Sequence, residues 1–509
     1  MRKVLSIILV AVLSLTLCAC SQTNTINPNL DSALDEPMVM NMFYRNTLGA
    51  DLESDNISTK TADQKAESLI ETVENFADTL KPADGRSTYY VSATGDDSAN
   101  GLTTATAKKT YGSVMSLLKS GDVVLFKRND VFREKIQMVS GVSYGAYGQG
   151  IKPRFYGSID AMNGRWEETE IKGVYKYNEM ILYYSNIVFD NGRFVGKYVE
   201  DFDSITDSAL NVYIAGANNY LYLYSPDGNP QDVFSSIEIV DNLDDGNNSP
   251  FQADSVNDND YNTENVTLQN LCIMYSGTHC ITPGKTKNFN VEGCVLGFAG
   301  GRDIFVKGEP PVGNAIELWG KVDTVSISNN YIFQCYDTGI THQGPLGSDS
   351  SDFRNITYND NLIEYCVWGI ESWYYSDSGT VYSDNINILD NIIRFSGYGW
   401  GSVNRVDKNV YSDIVLSLGN HSTNTTISGN LFDRSRNTSV KISNAPDKSQ
   451  MNFTNNKILI DKNMIVSSVT RDTNIYTYKY GAVMEEFLST NFGSYQGNDI
   501  VFLYSNRKY

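Results

Sequence analysis

The sequence predicts an all-β chain wound as a parallel solenoid, and three observations in its second half carry that expectation. From residue 266 onward the segments "VTLQNLCI", "FNVEGCVL", "VSISNNYI", "ITYNDNLI", "INILDNII", "TTISGNLF" and "MNFTNNKI" align. Val266, Phe289, Val325, Ile356, Ile386, Thr425 and Met451 share one column, and Leu268, Val291, Ile327, Tyr358, Ile388, Ile427 and Phe453 share the column two residues on. Period-two apolar columns are one buried face of a strand. Second, the sixth column becomes Asn330, Asn361, Asn391, Asn430 and Asn456. Asparagine stacked in this way tolerates left-handed backbone and hydrogen-bonds its counterparts in the coils above and below. Third, five residues later stand Ser276, Ala299, Cys335, Cys366, Ser396 and Ser435, all small, as a tight interior corner requires. The repeats are spaced by 23, 36, 31, 30, 39 and 26 residues. The shortest spacing is one coil, and the excess elsewhere is loop.

The elements follow in order. Residues 1–20, "MRKVLSIILVAVLSLTLCAC", have a charged start and an apolar run from Val4 to Leu17, too short to span a bilayer and suited to export. The ending Leu17-Cys18-Ala19-Cys20 resembles a bacterial lipobox, in which Cys20 becomes the lipidated first residue and holds the chain at the cell surface, facing outside. Residues 21–86 read as a polar tether with one helical stretch, "ADQKAESLIETVENFADTLK". Residues 87–159 hold the first strands and coils, with "TYGSVMSLLKSG" as a capping helix closed by Gly121. Residues 160–243 lack the asparagine column and read as an inserted β-structure; residues 244–470 are the main solenoid. Residues 471–509 are expected to cap its far end, because a terminal coil otherwise exposes an unpaired edge.

Sixty acidic against forty basic residues give a formal charge of −20 over 509 residues. That balance excludes a nucleic-acid partner, whose phosphates demand a basic surface. It also disfavours a polyanionic glycan unless a local basic groove overrides it. Thirty-three tyrosines, forty glycines and only twelve prolines suit an extracellular all-β protein. Beyond the signal, Cys272, Cys280, Cys294, Cys335 and Cys366 are an odd set with no close pair, neither a disulfide framework nor a zinc site.

The asparagine ladder, the coil size, the capping helix and the stretches "YYVSATGDDSANG…GDVVLF" and "GVSYGAYGQGIKPRFYGS" resemble the right-handed parallel β-helix (pectate lyase-like) superfamily, and its extracellular bacterial members in particular. The resemblance covers most of residues 87–470. It implies that fold and a carbohydrate-directed role, but no particular activity, because the fold hosts many reactions.

One pattern points to chemistry. "GNAIELWGK" (313–321) and "WGIESWYY" (368–375) each spell Ile-Glu-x-Trp. Ile281, Ile316, Ile340, Ile370 and Ile414 form an inward column, so Thr282, Glu317, Thr341, Glu371 and Val415 turn outward. Two residues further on, Gly284, Trp319, Gln343, Trp373 and Ser417 also turn outward. The two glutamates stand two coils apart, roughly 9–10 Å at the interstrand spacing. An inverting glycosidase needs about 6.5–9.5 Å between its carboxyls, to admit a water. Asp337, in "QCYDTGITHQ", offers a third carboxylate from the intervening coil.

The expected catalytic set is therefore Glu317 and Glu371 with Asp337 in support. Trp319, Trp373, Gln343, His342 and Trp400 are candidate substrate contacts, although parity turns His342 inward. His279 and His421 have no evident partners. No cofactor is expected; the Asp/Ser-rich loops leave calcium open, without an Asp-x-Asp-x-Asp pattern. The expected activity is a glycoside hydrolase acting on a polysaccharide or oligosaccharide as a monomer. A polysaccharide lyase is the first alternative, with Lys441 and Arg405 as candidate bases that do not adjoin the aromatic cluster. A non-catalytic glycan-binding or adhesion protein is the second.

Overall fold

The computed structural model describes residues 57–503 apart from 180, 182–183, 216–219, 242–248, 254–260, 302–311, 345–349, 375–379, 406–410, 418–420, 444–446, 462–464, 472–473 and 479–480. Cys20 and the signal lie outside the described residues, as do parts of the loops after Gln343 and Tyr374. No described helix is long and apolar enough to cross a membrane.

Each coil of the body has three strands. In one turn these are Thr338–Gln343, Ser351–Asn359 and Leu362–Glu364, after which Trp368–Trp373 lies parallel to the first. Repetition makes three parallel faces, and the protein is a right-handed parallel β-helix. In two early coils the first and second faces belong to one long bent strand, Ile281–Glu292 and Ile316–Ser328. The bends fall at Gly284 (φ 65°) and Gly320 (φ 72°), a conformation open to glycine at no steric cost.

The predicted columns are register columns. Val266, Phe289, Val325, Ile356, Ile386, Thr425 and Met451 pair in succession, and all are buried. The main core is this stack of inward side chains. The asparagine column forms a continuous ladder. The Asn330 backbone N–H donates to Asn361 Oδ1 (3.1 Å), and its Nδ2 donates to that oxygen and to the Val291 carbonyl. The pattern repeats from Asn361 to Asn391, Asn430 and Asn456. Asn498 extends it by one coil. Each rung satisfies buried polar groups that would otherwise cost roughly 1–3 kcal/mol. The left-handed residues stand one place earlier than expected, at Asn329, Asp360, Asp390 and Asn455, so the ladder asparagines serve hydrogen bonding rather than the turn. All five cysteines of the body are buried free thiols.

Both ends are closed. The predicted capping helix shrinks to the single turn Gly112–Met115; Tyr111 at its N-cap and Val114 within it are buried against the first coil. At the far end the helix Gly481–Asn491 inserts Phe487 and Leu488, with Phe492 just beyond it, into the main core. The helical part of the expected tether is docked, not loose. Helix Ile57–Glu74 buries Ala62, Ala66, Ile70 and Val73, spaced as one helical stripe, on the outer side of the third face. Asp63 on that helix bonds both Arg394 and Arg434, and these pairs fix its register.

The inserted segment forms two sheets. One contains Ser158–Asp160, Tyr184–Phe189, Phe194–Val195 and Ile237–Asp241; the other contains Trp166–Glu168, Val174–Tyr177, Lys197–Tyr198, Asn211–Ala215 and Tyr220–Tyr224. They share a core of their own, including Ile187, Phe189, Val212, Leu223 and Ile239. The insert is clamped to the solenoid by the Arg133–Glu238 ion pair (2.7 Å) and by Asn404, whose amide spans the Gly196 carbonyl and the Tyr198 N–H.

Candidate active site

The site lies on the first face, where Glu317, Thr341 and Glu371 are in direct register on neighbouring parallel strands. Ile316, Ile340 and Ile370 point into the core. Alternation therefore aims the next side chain of each strand outward. Trp319, Gln343 and Trp373 form the parallel outward row. Outward does not mean solvated here: Glu317 is 9 % exposed and Glu371 3 %, whereas Trp319 is 38 % exposed. The expectation of a solvent face is corrected: both carboxyls are buried, and the exposed group beside Glu317 is the Trp319 indole.

The two glutamates have different neighbours. Glu317 Oε1 accepts from Gln343 Nε2 (2.5 Å), and Glu317 Oε2 lies 3.2 Å from His279 Nε2. The backbone N–H of Asn314 donates to His279 Nδ1 (3.1 Å). Because Nδ1 accepts, a neutral His279 carries its proton on Nε2 and donates it to Glu317. Asn314 is itself held, through its Oδ1, by the Thr338 N–H (3.0 Å). Among the described residues Glu371 has only hydroxyl donors, Thr341 Oγ1 (3.2 Å) and Thr338 Oγ1 (3.3 Å) on Oε2. Burial first and the nearby Asp337 charge second push its carboxyl up to about 8, against the two hydroxyls and Lys441. At neutral pH it holds its proton.

Asp337 sits at the corner of the intervening coil. Its Oδ1 pairs with Arg405 Nη1 at 2.6 Å, and both are buried. Arg405 also lies over the Trp368 ring (5.4 Å), and Lys441 Nζ lies over the same ring (5.8 Å). Burial depresses the Lys441 ammonium, while Glu371 opposes that shift. Both cations thus adjoin the aromatic cluster, contrary to the sequence expectation. A loop residue and a strand two coils away meet only when the coils are stacked.

Two expected substrate contacts are excluded by position. His342 is fully buried inside the solenoid, bonded to Tyr358 Oη (2.9 Å) and Ser372 Oγ (3.0 Å). Trp400 is fully buried under the insert, its Nε1 donating to the Gln334 carbonyl (2.7 Å). Neither can meet a glycan. His279, set aside in the sequence, is the residue that was missed. No signal along the chain marks it: His279 stands two residues before the inward Ile281, which alternation alone would turn inward, yet its Nε2 reaches the outward Glu317 of the next coil. Among the described residues no cluster of three metal-binding side chains occurs.

No family model matches the chain, and no curated protein matches it. Its three-faced coil defines a right-handed parallel β-helix. Among solved structures it is similar to one described as a glycoside hydrolase, with a TM-score of 0.48 and 9% identity over 81% of this chain and 96% of that chain. It is also similar to XylC in complex with xylose (TM-score 0.41, 12% identity, 81% and 82% covered) and to the pectate lyase Pel9A (TM-score 0.40, 10% identity, 84% and 80% covered).

Proposed function

We propose that the protein is a carbohydrate-active enzyme, a glycoside hydrolase that works with inversion, with Glu371 as general acid and Glu317 as general base. The observation that carries this reading is a pair of carboxyl groups two coils apart in opposite settings. Glu371 is protonated below about pH 8 and almost wholly buried. Glu317 is gripped on both oxygens by N–H donors. Environments that separate two carboxyls in this way assign the acid and the base. Their spacing of roughly 9–10 Å leaves room for the attacking water.

In the reaction Glu371 gives its proton to the glycosidic oxygen as that bond breaks, and Glu317 takes a proton from the water that attacks the opposite face. His279 and Gln343 position Glu317, while Trp319 and Trp373 offer rings on which sugar faces stack. Asp337, tied to Arg405, raises the affinity of Glu371 for its proton and does not itself exchange one. In this reading the chain is exported and held at the cell surface through lipid on Cys20. Metabolic lipid labelling that survives Cys20→Ser removes that part of the reading.

The test is a panel of polysaccharides scored for new reducing ends and anomeric configuration. Release by the wild type and its loss in Glu371→Gln support the hydrolase. A lyase has one observation in its favour, the half-buried Lys441 near Arg405, a cation depressed by burial that could serve as a base. Lysis leaves an unsaturated product absorbing in the ultraviolet, and its appearance would replace the hydrolase reading. Binding with no product of either kind would leave the adhesion protein.

A further inference from the structure

We propose that a hollow at the N-terminal end of the second face is a further, non-catalytic binding site for a neutral sugar unit of a glycan. The inference goes beyond the hydrolase reading and does not rest on it. The first coils carry a row that runs Tyr90, Leu125, Gly145 on paired parallel strands. Their chain neighbours Val91, Phe126 and Ala146 are buried in register, so alternation aims the row away from the core. The row has no side chain at Gly145, and Gln269 stands beside it on the next coil. Segment 76–80, which leads from the docked helix toward the first strand, crosses this gap. Leu80 settles there because a methyl group on Gly145 would lie 2.8 Å from its Cδ1. What stays open is a hollow of about 520 Å³, lined by Leu80, Tyr90, Leu125, Tyr147, Thr104 and Gln269 among others. Small-ligand sites span roughly 300–1,000 Å³.

The lining selects the guest. Its one charged member, Asp78, is already engaged: both carboxylate oxygens accept from Arg128 Nη2 (2.8 and 3.0 Å), and Oδ1 also accepts from Asn270 Nδ2 (2.7 Å). An ionic guest would lose hydration there without meeting a free counter-charge. The wall is set in advance, since the Gln269 amide accepts from the Thr79 N–H (2.8 Å) and donates to Thr79 Oγ1 (2.7 Å). Tyr90 and Tyr147 meet edge to face, with centroids 5.1 Å apart and planes at 86°. Both rings and Leu125 are half-buried. The Tyr90 and Thr104 hydroxyls make no hydrogen bond with another described residue. An aromatic corner, leucine side chains and available hydroxyls match a pyranose, whose C–H face is apolar and whose rim is hydroxyl. A purely aliphatic guest would leave those hydroxyls unmatched. The hollow also stands apart from the catalytic pair. Gly145 lies three coils before the Glu317 strand, roughly 14 Å along the axis, and on the neighbouring face. A sugar held there does not touch the reacting bond.

The experiment reads binding with the first face disabled. Full-length protein carrying Glu371→Gln and Trp319→Ala, which remove turnover and an exposed stacking ring, is titrated calorimetrically. The probes are neutral tetrasaccharides of xylose, glucose, mannose and galactose, with tetragalacturonate as the acidic probe and hexanol as the aliphatic one. At least one neutral tetrasaccharide should still bind. Adding Tyr90→Ala, which removes a ring, or Leu125→Arg, which fills the hollow, should each weaken it about tenfold or more. Tyr90→Phe keeps the ring and should retain most of the affinity. Thermal melts check folding, and Tyr90→Ala decides the matter if Leu125→Arg does not fold. The inference is overturned if no neutral tetrasaccharide binds, or if its affinity is the same with and without the hollow variants. It is overturned equally if hexanol or tetragalacturonate is the probe that Tyr90→Ala displaces while the neutral sugars are unaffected. The two proposals fail separately. New reducing ends from wild type, with no affinity lost in the hollow variants, keep the hydrolase and sink this site. Tyr90-dependent sugar binding with no product from wild type does the reverse.

Discussion

The strands Ile316–Trp319 and Ile370–Trp373 carry the same four-residue pattern in the same register, yet their glutamates are chemically different groups. Both are aimed by the same alternation and backed by the same isoleucine column. Glu317 meets an imidazole N–H and an amide N–H. Glu371 meets two hydroxyls and a neighbouring carboxylate. The pattern fixes where a carboxyl points; the adjoining coils decide whether it holds a proton.

The hardest way to break that comparison is to neutralise each glutamate in turn. Glu371→Gln and Glu317→Gln should each lose roughly 10²–10⁴-fold in turnover, the usual worth of a positioned acid or base. A substrate with an activated aryl leaving group needs no proton from the enzyme, so it should restore Glu371→Gln and leave Glu317→Gln impaired. Equal rescue of both variants would make the glutamates interchangeable and remove the distinction.

Stability should separate them as well. The folded Glu371 carboxyl is raised from 4.5 to about 8, so between those values the folded state holds the extra proton. Stability contributed by this residue therefore falls as pH rises through that window, by up to a few kcal/mol. Glu371→Gln should melt above wild type at pH 8 and converge with it near pH 4. No such gain is expected for Glu317→Gln, whose amide keeps one oxygen and can accept from only one of the His279 and Gln343 donors. Thermal melts across pH 4–9 decide it.

Smaller changes sharpen the contrast. His279→Ala should lower kcat about tenfold with KM nearly constant, since it orients Glu317 and does not touch the sugar. Thr341→Val removes a donor that favours the Glu371 carboxylate. The alkaline limb of the pH–rate profile, expected near pH 8, should then move upward, by less than about one unit. Trp319→Ala and Trp373→Ala should raise KM a few-fold at constant kcat, a loss of stacking alone. If either tryptophan variant instead lost turnover with KM unchanged, the rings would belong to the chemistry rather than to binding.

What was legible in the sequence is whatever repeats. Period-two columns, the asparagine rung and the small corner are local patterns stacked at one spacing, so aligning seven segments already places Glu317, Thr341 and Glu371 side by side. The sides faced by Glu317, Glu371 and the inward His342 followed from parity. Whatever depends on which non-repeating segment lies over a coil was not legible. Trp400 reads as one more aromatic near the site but is buried beneath the insert, and Arg405 reads as a loop residue but is clamped on Asp337. His279 shows no partner along the chain, because its partner is 38 residues away and one coil over. The sequence by itself determined the coil, its interior and the outward glutamate pair, since stacking a periodic strand admits one low-energy register. Only the tertiary structure decided that Glu371 keeps its proton, that Glu317 is held by His279 and that Lys441 leans over Trp368. Those outcomes depend on desolvation and on charges brought together across coils, and neither is written in any single segment.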